Sequence, residues 1–395
     1  MKLSNLTKRL AAFEPDGFPF ISLYINAEAD STGRDNFQIW LKKQLAEKGK
    51  EYEENSFEAE RYEEAVQRIN DFVDNDVDPA ANGIAIFTTL GDTDFFHAVQ
   101  LEVPFADNVM HSSDRPHIFP LVRAISQNPK YAVLWADTNK ADIYIFGGES
   151  RIRTDDNRDE KVEEIKNQVT NRSQVGGWSQ NRYQRHIENF HLQHAKETVA
   201  ELEELMRKEH IETLILCGDE TTIMPILKPQ LSKDLESKVI ATLNMSQYDS
   251  VDEIREQTSE VLGIENATSD MKQVERTFDA ARAAAGLGTL GIEATLKALS
   301  NGQVQELVIS SDLDTIEYQP GRIEKILSEY APGEDHSSVE TMPLINEAAQ
   351  MADELIVRAL NTDAEVCFID DASLLEECGG VAAVLRYNMN ATANG

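Results

Sequence analysis

One stretch near the middle of the chain, residues 173–188, combines the residue types best suited to act on a substrate. Gly176 and Gly177 open φ/ψ regions that are closed to other residues, and they free the backbone of side-chain bulk. Gln180 follows shortly afterwards, and its carboxamide can both donate and accept hydrogen bonds. A flexible backbone tip beside such an amide can enter a crowded site and orient a water molecule, so this stretch is the candidate for chemistry.

The stretch leads into a long predicted helix. Ser179 is a suitable N-cap, because its hydroxyl can accept a hydrogen bond from a backbone N–H of the first turn. Residues of one buried helix face then recur at three- and four-residue steps. They are Tyr183, Ile187, Phe190, His194, Thr198, Leu202 and Leu205, and the opposite face carries Arg182, Arg185, His186 and Asn189. We therefore predict a glycine tip that exposes Trp178, Ser179 and Gln180 on a helix with a basic outer face.

This pattern resembles the middle domain of the archaeo-eukaryotic class-one release factors and their Pelota relatives. Their hydrolytic loop is Gly-Gly-Gln, followed by Ser and then by Arg-aromatic-x-Arg on a helix. The matching positions of this chain are Gly176-Gly177, Ser179, Arg182-Tyr183 and Arg185. Trp178 stands where the family has glutamine, and Gln180 is a displaced glutamine like those in bacterial members of the superfamily. The alternative is a glycine turn that caps an ordinary amphipathic helix.

The resemblance implies a ribosome-associated release or rescue factor that hydrolyses the peptidyl-tRNA ester. It implies catalytic roles for Gly176, Gly177 and Gln180, and RNA-binding roles for Trp178, Ser179, Arg182, Arg185 and His186. The implied partners are the ribosome and peptidyl-tRNA, with room for a translational GTPase, and no cofactor is expected. Two alternatives stay open at this stage. One is a nuclease that cuts the tRNA acceptor end, and the other is a non-catalytic ribosome- or RNA-binding protein.

The overall charge is unusual for a protein that meets RNA. The net charge is −33 and the pI is about 4.5, whereas a free-standing nucleic-acid binder usually has a basic footprint. Residues 171–194 concentrate positive charge locally. This stretch contains three arginines (Arg172, Arg182 and Arg185) and three histidines, and its one acidic residue is Glu188. We therefore expect any contact with RNA to be confined to this part of the chain.

Cysteine usage and hydropathy indicate the compartment. Cys217, Cys367 and Cys378 are odd in number and form no Cys-x-x-Cys frame, which is typical of a reducing compartment without a structural metal. Neither a signal peptide nor a run of apolar residues long enough for a membrane helix is evident, so a cytoplasmic location without membrane contact is expected. His191 and His194 lie one turn apart, but a packed helix surface is favoured over a metal site.

The order of the predicted elements indicates an α/β protein with three small α/β domains in a row. Residues 1–125 resemble, loosely, the release-factor N-terminal domain, but the segment 52–60 between the predicted helices is acidic and lacks the Asn-Ile-Lys-Ser motif that reads stop codons. Recognition of stop codons is therefore not expected. Residues 126–264 contain a predicted hairpin (131–146), the Gly-Gly loop and its helix, a strand at 213–218, a helix at 222–235 and a strand at 239–243.

The third predicted domain, residues 265–395, follows a polar stretch at 265–269. It has helices at 274–285, 290–299 and 344–361, and strands at 306–310 and 364–369. Its ending, Gly379-Gly-Val-Ala-Ala-Val-Leu-Arg-Tyr387, matches the Gly-Gly-hydrophobic-Leu-Arg-Tyr signature of the ribosomal-protein-like (L7Ae-type) domain of the same superfamily. Asp219 and Glu220, the other carboxylates considered for catalysis, are better explained as residues of a helix's first turn.

Overall fold

The computed structural model describes residues 3–28, 37–79, 81–91, 95–138, 140–147, 149–154, 160–161, 167–170, 180–245, 249–283, 286–316 and 347–388. The side chains of Ser4, Glu347 and residues 149–188 lie outside this description. The described residues form a mixed α/β structure with separate sheets, which confirms the predicted fold class. Two compact units are present. Unit 1 comprises Met1–Asn128, Glu149–Val162 and Ala267–Gly395, and unit 2 comprises Pro129–Gly148 and Glu163–Asn266.

The described strands and helices have the following bounds. The strands are β1 (Phe20–Asn26), β2 (Gly83–Thr89), β3 (Phe96–Leu101), β4 (Val109–Ser113), β5 (Tyr131–Ala136), β6 (Lys140–Phe146), β7 (Glu149–Thr154), β8 (Glu160–Lys161), β9 (Asn167–Thr170), β10 (Leu214–Cys217), β11 (Val239–Leu243), β12 (Gly288–Leu290), β13 (Val304–Ser310), β14 (Glu365–Ile369) and β15 (Val381–Leu385). The helices are α1 (Leu3–Ala11), α2 (Phe37–Gly49), α3 (Phe57–Asn75), α4 (Phe119–Gln127), α5 (Gln180–Glu209), α6 (Met224–Leu227), α7 (Lys233–Lys238), α8 (Val251–Arg282), α9 (Ile292–Ser300) and α10 (Glu347–Asn361).

The first sheet of unit 1 is antiparallel and has the strand order β4-β1-β2-β3-β7-β8. The neighbouring strands β1 and β2 are buried on both faces. Alternate residues of β1 therefore serve two cores. Leu23 packs with α2 and α3, whereas Tyr24 packs with α1 and α4 on the other side.

Strand β7 is a finding that the sequence did not predict. Residues 151–166 fall within the predicted middle domain, 126–264, between its predicted hairpin and the Gly-Gly loop. Instead, β7 pairs with β3 of the first sheet, with His97 opposite Thr154 and Val99 opposite Ile152. The chain thus returns from unit 2 to unit 1 and then enters unit 2 a second time.

The second sheet of unit 1 has the order β12-β15-β13-β14, and its strands run antiparallel except for the pair β13–β14. Gly379 ends a 3₁₀ turn in the left-handed conformation (φ +60°), and Gly380 (φ +79°) leads into β15. A Cβ on Gly380 would stand 2.8 Å from the backbone oxygen of Thr315, so this glycine pair is needed for a close turn. The resemblance of this region to a ribosomal-protein-like fold stays a prediction.

The two sheets of unit 1 share one hydrophobic core. Leu6 and Leu10 of α1, Phe119 of α4, and Leu355 and Ile356 of α10 are all buried in the same cluster. The ring of Phe119 also meets Phe368 of β14 edge-to-face, with centroids 5.3 Å apart. The division of the chain into domains 1–125, 126–264 and 265–395 stays a prediction, and its two terminal parts lie within one compact unit.

The carboxylate of Asp353 in α10 joins these two halves of unit 1. Its Oδ1 accepts hydrogen bonds from the backbone N–H groups of Ile118 (2.9 Å) and Phe119 (2.8 Å), and its Oδ2 lies 2.6 Å from Nδ1 of His117. Helix α4 has no capping side chain of its own at Ile118, so Asp353 supplies the cap across the core. Tyr24 donates its hydroxyl proton to the backbone oxygen of His117 at 2.5 Å. Burial, and then the charge of Asp353, raises the pKa of Tyr24 well above its ordinary value.

Unit 2 is built on a mixed sheet with the order β11-β10-β5-β6-β9. Strands β5, β10 and β11 are parallel, and the hairpin β5–β6 and the pair β6–β9 are antiparallel. Both faces of this sheet are covered. Leu134 and Leu216 pack against α5 and α6 on one face, while Val133 and Ile215 pack against α8 on the other.

Two predictions about unit 2 and its exit are wrong. The helix expected at 222–235 is broken into α6, a 3₁₀ turn and α7, because Pro225 and Pro229 lack the N–H that an unbroken helix requires. The helix predicted at 274–285 begins much earlier, because α8 continues from Val251 through the polar stretch 265–269 to Arg282. In the described parts of the chain, no helix has both the length and the apolar character needed to cross a bilayer.

The contact between Asp353 and α4 generates a stability prediction. Asp353→Ala leaves two N–H groups of α4 and the His117 ring without their buried partner. We expect the free energy of unfolding of unit 1 to fall by about 2–5 kcal/mol, the range for removing one partner of a buried pair together with a helix cap. Urea unfolding, with hydrogen exchange of the α4 amides as the local readout, measures this loss.

The matched control is Asp363→Asn, which removes a carboxylate that bonds Lys8 at 2.6 Å on the surface of the same unit. Asparagine tolerates the left-handed backbone of this residue (φ +52°), and an exposed pair contributes at most about 1 kcal/mol. Equal losses in the two variants would show that Asp353 has no special role.

Candidate functional site

The predicted reactive stretch connects two described elements of unit 2. Strand β9 ends at Thr170, which pairs with Lys140, and α5 begins at Gln180. Because β6 is antiparallel to both β5 and β9, strand β9 runs in the same direction as β5. The carboxyl ends of β5, β9, β10 and β11 therefore meet at one edge of the sheet, which we call the carboxyl edge. In open α/β sheets this is the edge where ligands bind.

The predicted site residues fall into two groups. Gly176, Gly177, Trp178 and Ser179 lie outside the described residues, and so does the proposed capping role of Ser179. Gln180, Arg182, Arg185 and His186 occupy the first two turns of α5, but their side chains are not described. The structure places these four residues at the start of α5, the helix that follows the carboxyl edge in sequence. Their roles stay predictions.

The described part of α5 confirms the predicted buried face. His194, Thr198, Leu202 and Leu205 are buried, and Asn189 on the opposite side is exposed. His194 is 1% exposed, and neither of its ring nitrogens has a hydrogen-bond partner within the described residues. This histidine therefore adds no charge to an exposed basic surface, which must depend on residues nearer the start of the helix.

A polar group that the sequence did not reveal lies at the carboxyl edge beside Thr170. Lys140 Nζ lies 2.7 Å from Oδ2 of Asp142 and 5.7 Å from the ring centroid of Trp135. Trp135 and Asp142 are paired across the hairpin, and Tyr144 donates to the same carboxylate oxygen at 3.4 Å. The side chain of Asp142 is only 4% exposed, whereas that of Lys140 is 42% exposed. Only strand register brings these residues together, so spacing in the sequence gave no signal for them.

The loop after β10 contributes a carboxylate with a structural role. Oδ1 of Asp219 accepts hydrogen bonds from the backbone N–H and hydroxyl groups of both Thr221 and Thr222, at 2.6–3.0 Å. These bonds, led by that of the Thr221 hydroxyl, lower the pKa of Asp219 to about 2. The carboxylate is therefore ionised at neutral pH and cannot act as a general acid. The prediction that Asp219 lies in a helix's first turn is wrong, because this residue closes a turn that precedes α6, which begins at Met224.

The described residues of this edge provide no activated side-chain nucleophile. Cys217 ends β10, but burial, assisted by the charge of Asp249, raises the pKa of its thiol to about 12, so it stays protonated at neutral pH. Among the described residues, no three His, Cys, Asp or Glu side chains are grouped so that they could hold a metal ion.

A known protein family matches the part of the chain that contains the carboxyl edge. Residues 116–262 match the model of "Bacterial archaeo-eukaryotic release factor family 10". The match runs from the start of α4 into α8, and it therefore includes unit 2, the Gly-Gly stretch and α5.

Individual relatives extend over more of the chain. "Peptide chain release factor subunit 1" of Thermococcus sibiricus is 24% identical over 298 residues, which cover 68% of this chain and 69% of that protein. "Eukaryotic peptide chain release factor subunit 1" of Saccharomyces cerevisiae is 27% identical over 206 residues, which cover 46% of each. The structure of a ribosome-bound archaeal Pelota aligns over 98% of this chain and 94% of its own, with 14% identity and a TM-score of 0.40. A score of this size does not establish a common arrangement.

The carboxyl edge depends on close approach of the backbone at Gly218. A Cβ at this position would lie 2.4 Å from the backbone oxygen of Ala136 and 2.9 Å from Met224, and φ is +154°. We expect Gly218→Ala to destabilise unit 2 by about 1–3 kcal/mol, the range for a residue forced into a strained backbone conformation. Hydrogen exchange of the β5 and β10 amides measures the loss in the full chain.

Gly263→Ala is the matched control. Gly263 lies within α8, and no atom stands within 4 Å of a Cβ built on it. Alanine is favoured over glycine in a helix interior by about 1 kcal/mol. The same assay should therefore show a small gain in protection, and a gain for Gly218→Ala as well would refute the close approach.

Proposed function

The chain belongs to the archaeo-eukaryotic release factor/Pelota superfamily, and on that premise we propose that it acts on the ribosome and hydrolyses the ester of peptidyl-tRNA. The observation that carries this proposal is the placement of the Gly-Gly stretch. It connects β9, at the carboxyl edge of the unit 2 sheet, to the 30-residue helix α5, and it lies within the residues that match the bacterial release-factor family.

The chemistry proposed for this loop needs no side-chain nucleophile. An ester is an activated acyl group, so positioning a water molecule and stabilising the oxyanion account for much of the required acceleration. Gly176 and Gly177 permit a close approach of the backbone, whose N–H groups can donate to the oxyanion. Gln180 orients the water through its carboxamide. The protonated thiol of Cys217 and the ionised, fully engaged carboxylate of Asp219 fit this assignment, since neither offers a competing mechanism.

The charge distribution supports an interaction with RNA that is confined to the start of α5. A chain of net charge −33 is repelled by phosphates at long range. Arg182, Arg185 and His186 are placed where the helix begins, and we assign the phosphate contacts to them together with Ser179. Trp178 stacks on a terminal base in this proposal, a contact that contributes about 1–3 kcal/mol in single-strand binders.

The region between α2 and α3 favours a function that does not depend on a stop codon. Residues 52–60 carry four glutamates and no lysine. Asn55 adopts a left-handed backbone (φ +61°), and the hydroxyl of Ser56 caps α3 by accepting from the N–H of Ala59 at 3.1 Å. A short acidic turn that is committed to capping a helix is poorly suited to contact messenger RNA. We therefore propose release from ribosomes irrespective of the codon in the decoding site.

The direct test uses ribosomes that carry labelled peptidyl-tRNA, with a stop codon, a sense codon or no codon in the decoding site. The proposal predicts free peptide at similar rates in all three cases and tRNA with an intact CCA end. A shortened tRNA 3′ end would instead identify a nuclease. Bound protein with neither product would identify a non-catalytic binder, and strong selectivity for stop codons would contradict codon-independent release.

Substitutions in the loop separate its chemistry from binding. Gln180→Ala should lower the release rate at saturating ribosome concentration by about 10²–10³, the usual cost of one positioning or oxyanion donor, with binding nearly unchanged. Gly177→Ala should slow the same step because a Cβ restricts the loop. The control is Gln193→Ala, which removes an exposed glutamine of the same helix that donates only to Glu197. Wild-type rates for both loop variants would show that the loop is not the active element.

The basic start of α5 generates a prediction about salt. Arg182→Ala combined with Arg185→Ala should weaken ribosome association and flatten its salt dependence, since each lost phosphate contact removes about 0.7–0.9 from the slope of log K against log salt. Arg207→Ala combined with Lys208→Ala changes the net charge equally at the exposed far end of the helix and should leave the slope intact. Identical slopes for both double variants would contradict the assignment.

A further inference from the structure

Unit 1 contains a cavity that the proposed reaction does not use. It has a volume of about 710 Å³ and is lined by residues from both halves of the unit, including β4, α4 and the turn after β13. Its floor is aromatic. Tyr24 and Phe105 meet edge-to-face with centroids 5.0 Å apart, and the rings of His111 and His117 lie 4.6 Å apart at 35°. A cavity of this size and shape is typical of a site that receives a ligand or an anchoring side chain.

His111 contributes a buried imidazole to the lining of the cavity. The residue is 8% exposed, it lines the cavity, and its ring makes no hydrogen bond within the described residues. Burial, followed by the neighbouring His117, lowers the pKa of His111 to about 3. The imidazole is therefore neutral at physiological pH, and it keeps one nitrogen that accepts a hydrogen bond. His117, by contrast, is already engaged by Asp353.

The rim of the cavity has a net negative charge. Asp107, Asp312 and Asp314 are exposed carboxylates among the lining residues, and Arg123 is the one lysine or arginine among them. Arg123 is itself held by Oε1 of Gln127 at 3.1 Å. The helix N-terminus that might otherwise attract an anion is already neutralised, because Asp353 accepts from the N–H groups of Ile118 and Phe119. An anionic ligand such as a phosphate is thus disfavoured.

The aromatic floor, the neutral imidazole of His111 and the acidic rim together favour a guanidinium group as the ligand. A guanidinium is planar, stacks on aromatic rings, remains charged at all physiological pH values and donates several hydrogen bonds in a fixed geometry. It can donate to a neutral imidazole and to carboxylates at the same time. An ammonium group would be attracted to the acidic rim but cannot stack on the aromatic floor. A nucleobase can stack on the floor, but its nucleotide brings phosphates toward the acidic rim.

We propose that this cavity is a docking site for an arginine side chain of a basic protein segment, with the aromatic floor and His111 receiving the guanidinium and the aspartates of the rim holding its flanking positive charges. The partner is a protein with an exposed arginine-rich segment. Because both halves of unit 1 line the cavity, its occupant contacts β4 and the turn after β13 simultaneously. This interaction is independent of the Gly-Gly loop and of ester hydrolysis.

The test uses acetyl-Gly-Arg-Gly-amide and two matched peptides with lysine or citrulline in place of arginine. Full-length protein labelled with ¹³C-histidine is titrated with each peptide, and the His111 resonance is assigned by its loss in His111→Phe. We expect the arginine peptide to shift the His111 signal with a Kd of about 1 mM. Citrulline, which has the same shape without the charge, should bind about ten-fold more weakly, and lysine should fall between them.

Two variants test the contacts. His111→Phe keeps an aromatic ring and removes the acceptor, and Asp312→Asn combined with Asp314→Asn removes rim charge while asparagine still caps the turn at residue 312. Each should weaken the arginine peptide several-fold. Binding to His111→Phe, which has no His111 signal, is followed through the resonance of His117, which lines the same cavity. The control, Asp252→Asn combined with Glu256→Gln on exposed positions of α8, changes the net charge equally and should not.

Three results would overturn the proposal. One is equal binding of the arginine and citrulline peptides. Another is an equal loss of affinity in the α8 control, which would show that only the overall charge matters. The last is a short RNA oligonucleotide that shifts the His111 signal more strongly than the arginine peptide. If His111→Phe fails to fold, the rim variant and the peptide series decide the question alone.

Discussion

One partly buried carboxylate, that of Asp353, ties the two halves of unit 1 together across their shared hydrophobic core. Asp353 satisfies the start of α4 and the ring of His117 with two oxygens, across 236 positions of sequence. A charge in such a setting is costly to bury unless every lone pair is used, and here the backbone N–H groups of a helix end supply the compensation.

Acidic and basic residues of this protein have different roles. The loop and turn carboxylates are used locally, as with Asp219 and its two threonines, so they stabilise turns without defining a site. The strongly acidic whole repels phosphates, which confines any RNA contact to the few positions where arginines outnumber carboxylates. The same acidity favours basic protein segments elsewhere on the surface. An acidic translation factor can thus separate the two kinds of partner by charge alone.

Local patterns predicted the elements that bury one continuous face. Helix α5 and the hairpin β5–β6 follow directly from the spacing of residues such as Leu202 and from the alternation around Trp135. Sequence patterns did not predict elements whose secondary structure depends on contact with a segment far away in sequence. Strand β7 has charged residues at Glu149, Arg151 and Arg153 and is defined by pairing with β3. The polar composition of residues 265–269 did not indicate that those residues continue α8.

Some residues of the candidate site could likewise be predicted from the sequence, and others could not. The Gly-Gly stretch and the arginines of α5 are visible in the sequence because their order matches a family pattern. The group formed by Lys140, Asp142 and Trp135 requires strand register, and the cavity with His111 requires the two halves of unit 1 to meet. None of these groups has a characteristic spacing, so no motif could have identified them.

The return of the chain to β3 has a practical consequence for dividing the protein into fragments. A fragment that ends at the sequence-based boundary near residue 125 lacks β7, and it leaves the full length of β3 as an uncovered edge with unpaired N–H and C=O groups. Such an edge is a template for pairing with another copy. A fragment of the N-terminal region without residues 149–162 should therefore self-associate through β3, whereas the intact chain covers this edge with its own β7.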